Sequence, residues 1–140
     1  MRAVADTSFV VALADQNDPY HQRCQTIYEQ ARVIYLPQTT LAEVGYLLRR
    51  AGGNRMIARF LRLMPHRKYI LHALDENDLE RTAQILDQYA DSRVDFVDAT
   101  VAAIAENRRI TRILTLDRRD FSIIRPNHIP HFEILPTGSG

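Results

Sequence analysis

Five short apolar runs, near residues 2–6, 33–36, 69–74, 112–116 and 132–135, punctuate a chain of 140 residues whose intervening stretches have helical periodicity. Strands that read as apolar runs, rather than as apolar and polar residues in alternation, belong to parallel sheets covered on both faces. Strands of this kind alternating with helices predict a parallel sheet between two helical layers, joined by right-handed crossovers. A hydrophobic content of 46% is enough for one compact core. Residues 1–135 are therefore read as a single domain and 136–140 as a frayed tail.

Local signals place the helices. Asp18-Pro19 is an N-cap followed by a favoured first position and predicts a helix to about Ala31. Thr39 or Thr40 opens another to about Arg50, stopped by Gly52-Gly53, and Asn54 caps a third that ends at Met64-Pro65. Asn77 or Asp78 starts one with Leu79, Ala83, Leu86 and Ala90 on a common face. Asp95 starts another in which Ala99, Ala102, Ala103 and Ala105 permit close packing. The apolar stretch Phe9–Ala14 is too short, and too soon after Asp6, for a targeting segment, and it is read as the helix after the first strand. The chain is expected to be soluble and cytoplasmic, without membrane contact. The lone Cys24 cannot form an internal disulfide and reads as a packing residue on a helix.

Net charge is +1, but the charges are segregated. Of eighteen basic residues only Lys68 is lysine, leaving seventeen arginines, which hold phosphate bidentately. Arg49, Arg50, Arg55, Arg59, Arg62, Arg67 and Lys68 run without an intervening acid. Asp75 to Asp98 holds eight acids against Arg81 and Arg93, and Arg108, Arg109, Arg112, Arg118, Arg119 and Arg125 bracket Asp117. Basic flanks around an acidic pocket suit a polyanion held outside a metal centre. The alternative is a set of solvated helix faces, since Arg55, Arg59 and Arg62 follow surface-helix spacing.

Four acids carry the functional expectation. Asp6 ends the run Ala3-Val4-Ala5, and Asp117 ends Ile113-Leu114-Thr115-Leu116, so both belong at the C-terminal edge of the sheet, where open α/β sheets bind ligands. Glu43 and Asp98 fall in first turns of helices that begin near that edge. Each acid alone has a capping explanation: Thr40-x-x-Glu43 has the pattern of a capping box, Asp95-x-x-Asp98 resembles one, and Asp6 precedes a helix. Capping does not require four separated segments to share one edge, whereas a phosphoryl-transfer metal site does. Gathered carboxylates need a counter-charge, and Mg²⁺ or Mn²⁺ accepts oxygen ligands of this kind.

The motifs Val4-Ala5-Asp6-Thr7-Ser8, Thr40-Leu41-Ala42-Glu43-Val44, Phe96-Val97-Asp98-Ala99-Thr100 and Ile113-Leu114-Thr115-Leu116-Asp117-Arg118-Arg119-Asp120-Phe121 occur in that order. Together they resemble the successive motifs of PIN-domain ribonucleases, specifically VapC-type toxins, over about residues 3–135. The resemblance implies an α/β/α sandwich with a five-stranded parallel sheet, Mg²⁺- or Mn²⁺-dependent cleavage of RNA by one or two ions, homodimerisation and inhibition by a cognate antitoxin, in a dimer or a higher toxin–antitoxin assembly. By position it assigns metal binding and catalysis to Asp6, Glu43, Asp98 and Asp117. Thr7, Ser8 and Thr115 are candidates for bonding to those carboxylates or to the incoming phosphate. Asp95 reads as a cap or supporting group, and Asp120 is a weaker ligand candidate. Arg49, Arg50, Arg118 and Arg119 are candidate RNA contacts.

Competing classes lack their own marks. A receiver-type signalling domain would pair two acids after the first strand and use a late lysine, and a haloacid-type phosphatase would need Asp-x-Asp where position 8 is Ser. A catalytically silent PIN-fold module, binding RNA or a protein without turnover, would show the loss of an acid, and none is lost. His128-x-x-His131 lies in a proline-broken loop without cysteine and reads as loop histidines rather than a zinc site. His21 reads as a surface residue more readily than as a substrate contact. The stripe Leu41, Val44, Leu47, Leu48, Phe60, Leu61 and Met64 reads as core more readily than as a partner groove.

Overall fold

The structure is a computed structural model and describes residues 1–137. Chain order is β1 (Arg2–Ala5), α1 (Thr7–Ala14), α2 (His21–Gln30), β2 (Val33–Pro37), α3 (Leu41–Leu63), β3 (Tyr69–His72), α4 (Glu76–Gln88), α5 (Phe96–Asn107), β4 (Arg112–Leu114), α6 (Arg118–Ile123) and β5 (Glu133–Leu135). The strands form one sheet in the order β3-β2-β1-β4-β5, and every pairing is parallel. All five predicted strands are present.

Period-two geometry lets each central strand feed two cores. Ala3 and Ala5 of β1, with Leu114 of β4 and Ile34 and Leu36 of β2, pack with Phe9, Val10, Cys24, Tyr28, Val44, Leu48 and Phe60 from α1, α2 and α3. Val4 and Ile113 face the other way and pack with Ile85 of α4, Val101 and Ile104 of α5, and Phe121 of α6. This is the α/β/α sandwich. The small residues of α5 bring it close to α4 and the sheet, and every residue from Asp98 to Glu106 is buried.

Several local features differ from the sequence expectation. Helix α2 starts at His21, because Asp18 closes a turn first: its Oδ1 accepts from Tyr20 N at 2.8 Å and its carbonyl from His21 N at 3.0 Å. The break at Gly52-Gly53 is a kink inside α3, with Gly53 at φ 75°, ψ −174°, a backbone conformation open to glycine alone. Helix α4 buries Asp78, Thr82 and Ile85 rather than the Leu79 face, and Leu79 is exposed. Its buried acid is matched, while Thr82 Oγ1 has no hydrogen-bond partner: His72 Nε2 lies 3.0 Å from Asp78 Oδ2, Asn107 donates to Asp78 Oδ1 at 2.8 Å, and Arg81 forms a bidentate pair with the buried Glu106. Hydrogen bonds to His72 and Asn107 hold the Asp78 carboxyl below its usual range against the opposing effect of burial.

Of the segment expected to fray, Pro136 is buried and Thr137 accepts a bond from Arg23 through its carbonyl; residues 138–140 lie outside the described residues. Cys24 is fully buried, and burial pushes its thiol up to about 12, so it packs rather than reacts. Among the described residues no helix is long and apolar enough to cross a membrane.

Candidate active site

Parallel pairing of β1 with β4 sets the first acid. Asp6 N donates to Leu114 O at 2.9 Å, which extends the ladder one residue past β1 and leaves the Asp6 side chain at the sheet edge. Thr115, next after β4, donates its hydroxyl to Asp6 Oδ2 at 3.0 Å. With its single proton spent there, Thr115 Oγ1 accepts from Asp117 N at 3.0 Å and from Ser8 at 3.1 Å, while Ser8 Oγ accepts from Leu116 N at 2.9 Å. These hydroxyls thereby lace the ends of β1 and β4 together and fix Asp6 and Asp117 relative to each other.

Glu43 stands in the first turn of α3. Its capping explanation fails, since the Thr40 hydroxyl donates to Pro37 O and makes no cap bond. Instead Thr7 Oγ1 donates to Glu43 Oε1 at 2.7 Å, which ties α3 to the start of α1. Asp98 does take part in a capping box: its amide donates to Asp95 Oδ1 at 2.9 Å, and its own Oδ2 accepts from Asp95 N at 3.2 Å. Only one carboxylate oxygen is used in that exchange. Asp98 therefore caps α5 and still offers an oxygen to the cleft.

Asp6, Glu43, Asp95, Asp98, Asp117 and Asp120 line one open cleft of about 530 Å³, with Thr7, Ser8, Ala42, Tyr46 and Leu47. No arginine or lysine is in that lining. Asp120 is buried at its edge, and Arg93, half exposed, reaches Asp120 Oδ1 with Nε at 2.5 Å. This contact is an ion pair of poor hydrogen-bond alignment, for Oδ1 has no hydrogen-bond partner.

Electrostatics follow from burial and crowding. Burial raises the Asp6 carboxyl to about 6, opposed by the bonds from Thr7 and Thr115 and reinforced by Glu43 and Asp117. Asp98 is raised as well, first by burial and then by Asp95, Asp6 and Asp120. Asp120 is raised by burial and by Asp117. An all-carboxylate donor set whose ionised form is this costly suits a hard divalent cation, which prefers oxygen ligands and supplies the missing positive charge. Among the described residues, no three of the His, Cys, Asp and Glu side chains are gathered tightly enough to ligate one ion together.

The basic candidates divide. Arg49, Arg50 and Arg119 are exposed. Arg118, the fourth candidate, is exposed as well, and its Nη1 donates to the carbonyls of Ile134 and Pro136, which staples α6 to β5. His128 bonds Ile110 O at 2.8 Å and His21 lies 2.9 Å from Ala12 O; both stabilise loops. Two residues at the cleft escaped the sequence expectation, Tyr46 and Arg93. Tyr46 lies three residues after Glu43 and was visible by helical spacing, whereas the pairing of Arg93 with Asp120 spans a fold contact that no local pattern encodes.

A family model for the PIN domain matches residues 3–125, most of the chain and all six acids of the cleft. The chain belongs to the PIN-domain family. This PIN domain is 30% identical over 134 residues to ribonuclease VapC26 of Mycobacterium tuberculosis (strain ATCC 25618 / H37Rv), covering 95% of this chain and 99% of that protein. Solved structures agree on the fold. VapC20 of M. tuberculosis, described as a sarcin-ricin loop cleaving toxin, superposes with a TM-score of 0.78 at 22% identity, over 91% of this PIN domain and 98% of its own chain. A chain from VapBC2 of Rickettsia felis, solved bound to a promoter DNA fragment, gives 0.70 at 13% identity over 96% and 98%.

Proposed function

We propose that this PIN domain is a metal-dependent endoribonuclease and the toxin of a toxin–antitoxin pair. The observation that carries the proposal is the convergence of acids from β1, α3, α5 and the β4–α6 junction on one cleft, supported by the relatives named as VapC ribonucleases and toxins. Asp6, Asp98 and Asp117 would hold the ion, with Glu43 bound directly or through water. When bound, Mg²⁺ or Mn²⁺ supplies charge neutralisation at the scissile phosphate and lowers the pKa of water for in-line attack.

The chain's own residues prepare that chemistry. Thr115 spends its proton on Asp6 Oδ2 and so orients the other oxygen. Thr7 holds the otherwise mobile Glu43 side chain against the cleft. Asp95 fixes Asp98 from the backbone side. Exposed Arg49 and Arg50 give the approaching phosphodiester a favourable path past an acidic mouth. The purified chain, freed of any partner, is expected to cut RNA in Mg²⁺ or Mn²⁺ and to stop in EDTA, and Asp98→Asn is expected to be inert while still folded. Cleavage that persists in chelator would overturn the proposal. A cognate antitoxin is the expected inhibitor, and homodimerisation is part of the same proposal; sedimentation of toxin alone and with antitoxin measures both.

A further inference from the structure

Of the six acids that line the cleft, Asp120 alone is ion-paired among the described residues, and its partner is Arg93. The pair does not have the form of one built for stability. Arg81 and Glu106, which join α4 to α5, meet bidentately and are both largely buried. Arg93 is half exposed, brings only Nε to Asp120 Oδ1, and leaves that buried oxygen without a hydrogen-bond partner. Its terminal amino groups bond no other described residue. The backbone beneath it is nonetheless fixed. Ser92 donates its hydroxyl to Tyr89 O at 2.7 Å and accepts from Val94 N at 3.2 Å, and Val94 is buried. The Tyr89 hydroxyl accepts from Arg125 N at 2.7 Å, just beyond α6, so the segment that carries Arg93 and the helix that carries Asp120 are tied together.

The chain thus leaves Asp6, Glu43, Asp98 and Asp117 without a protein cation and gives one to Asp120, which adjoins both Asp117 and Asp98. In sites that work with two divalent ions, the second lies roughly 4 Å from the first and needs carboxylates of its own. Asp120 is placed to be such a carboxylate, and Arg93 already stands on it. Two positive centres on one buried carboxylate repel each other, so the arginine and a further ion compete. An arginine that gives Nε to a carboxylate keeps both terminal amino groups for the oxygens of a phosphate. We propose that Arg93 stands in for a second metal ion: the cleft takes one divalent ion, and the Arg93 guanidinium, seated on Asp120, faces the scissile phosphate with the charge that another ion would bring. As the attacking water oxygen bonds to phosphorus and loses a proton, the bond to the leaving oxygen breaks and that oxygen gains one. Arg93 donates hydrogen bonds to the phosphate oxygens, where negative charge grows, and keeps its own protons. This inference rests on the nuclease proposal and adds to it a catalytic residue and an ion count.

Titration of the RNA-free protein with Mn²⁺, followed by calorimetry and by the paramagnetic signal of the free ion, counts ions without reference to activity. The parent and Arg93→Lys are each expected to bind one ion, and Arg93→Ala two, because the bared Asp120 carboxylate then accepts a cation. Adding Asp120→Asn to Arg93→Ala should return the count to one. With only enough Mn²⁺ to fill the first site, Arg93→Ala is expected to lose about a hundredfold in kcat with far less change in KM, and further Mn²⁺ is expected to restore the rate. Arg93→Lys should keep most of the parent rate. Two ions on the parent, or one ion on Arg93→Ala, overturns the inference, and continued cleavage of RNA by the parent then leaves the nuclease proposal standing. A lowered melting temperature in Arg93→Ala with ion count and kcat unchanged would mark the pair as purely structural and overturn the inference as well. A parent that binds no ion and leaves RNA intact brings down both.

Discussion

At the scale of single residues, Asp6 is where fold and chemistry oppose each other. Its carboxyl, 6% exposed, titrates in the native state near 6 against an ordinary value of 3.8. A carboxyl with a raised native pKa holds its proton more tightly folded than unfolded, so its stabilising effect is full below about pH 4 and is lost as pH rises through 6. At neutral pH the ionised side chain costs the fold about 3 kcal/mol. Asp6→Asn should therefore be more stable than the parent in metal-free buffer at pH 7.5, with the gap closing toward pH 4, while cleavage disappears. Urea titrations at several pH values check this; a gap that is constant with pH would be the contrary result. Acids of this kind were legible in the sequence because each ends an apolar run or opens a helix. Each also had a capping explanation, and for Glu43 it fell away because Thr40 bonds Pro37 O instead. The burial of Asp120 and its pairing with Arg93 were not legible, because they arise on a helix only six residues long and across a contact between distant segments.

At the scale of elements, two of the three glycines of α3 make opposite demands. Gly45 sits in regular helix with open space at its Cβ position, whereas Gly53 holds a positive φ at the kink. The same substitution should thus change sign along one helix: Gly45→Ala is expected to stabilise by about 0.5–1 kcal/mol through lost unfolded-state entropy, and Gly53→Ala to destabilise by about 1–3 kcal/mol through backbone strain. Denaturant midpoints for the two variants decide it, and equal shifts would refute the account. The kink was legible from the glycine pair. The orientation of α4 was not, because its buried face is polar. Asp78 and Arg81 find partners 29 and 25 residues further on, in Asn107 and Glu106, and hydrophobic periodicity has no means of registering a buried group that is satisfied by a distant one. Helix α6 is shorter than any window over which periodicity can be read.

For the whole molecule, the two cores are not independent, because alternate residues of β1 and β4 belong to opposite ones. Removing a large side chain from either face should lower one common transition. Phe9→Ala and Phe121→Ala, both fully buried, are each expected to cost about 3–5 kcal/mol while far-ultraviolet dichroism and tyrosine fluorescence continue to melt together. Separate transitions in either variant would mean that the layers fold apart. The sheet order was not legible: five strands were visible in the sequence, but their arrangement with β1 at the centre depends on pairing across more than a hundred residues.

That central position gives the molecule a temporal property. The hydrogen bond from Thr115 to Asp6 joins residues 109 apart, and Arg118 is anchored on Ile134 and Pro136. A chain still being synthesised, with its β4 segment not yet emerged, holds Asp6 and Glu43 but has nothing to set opposite them. On the proposed function, the acids that would act on RNA face one another only after the β4 segment has been made.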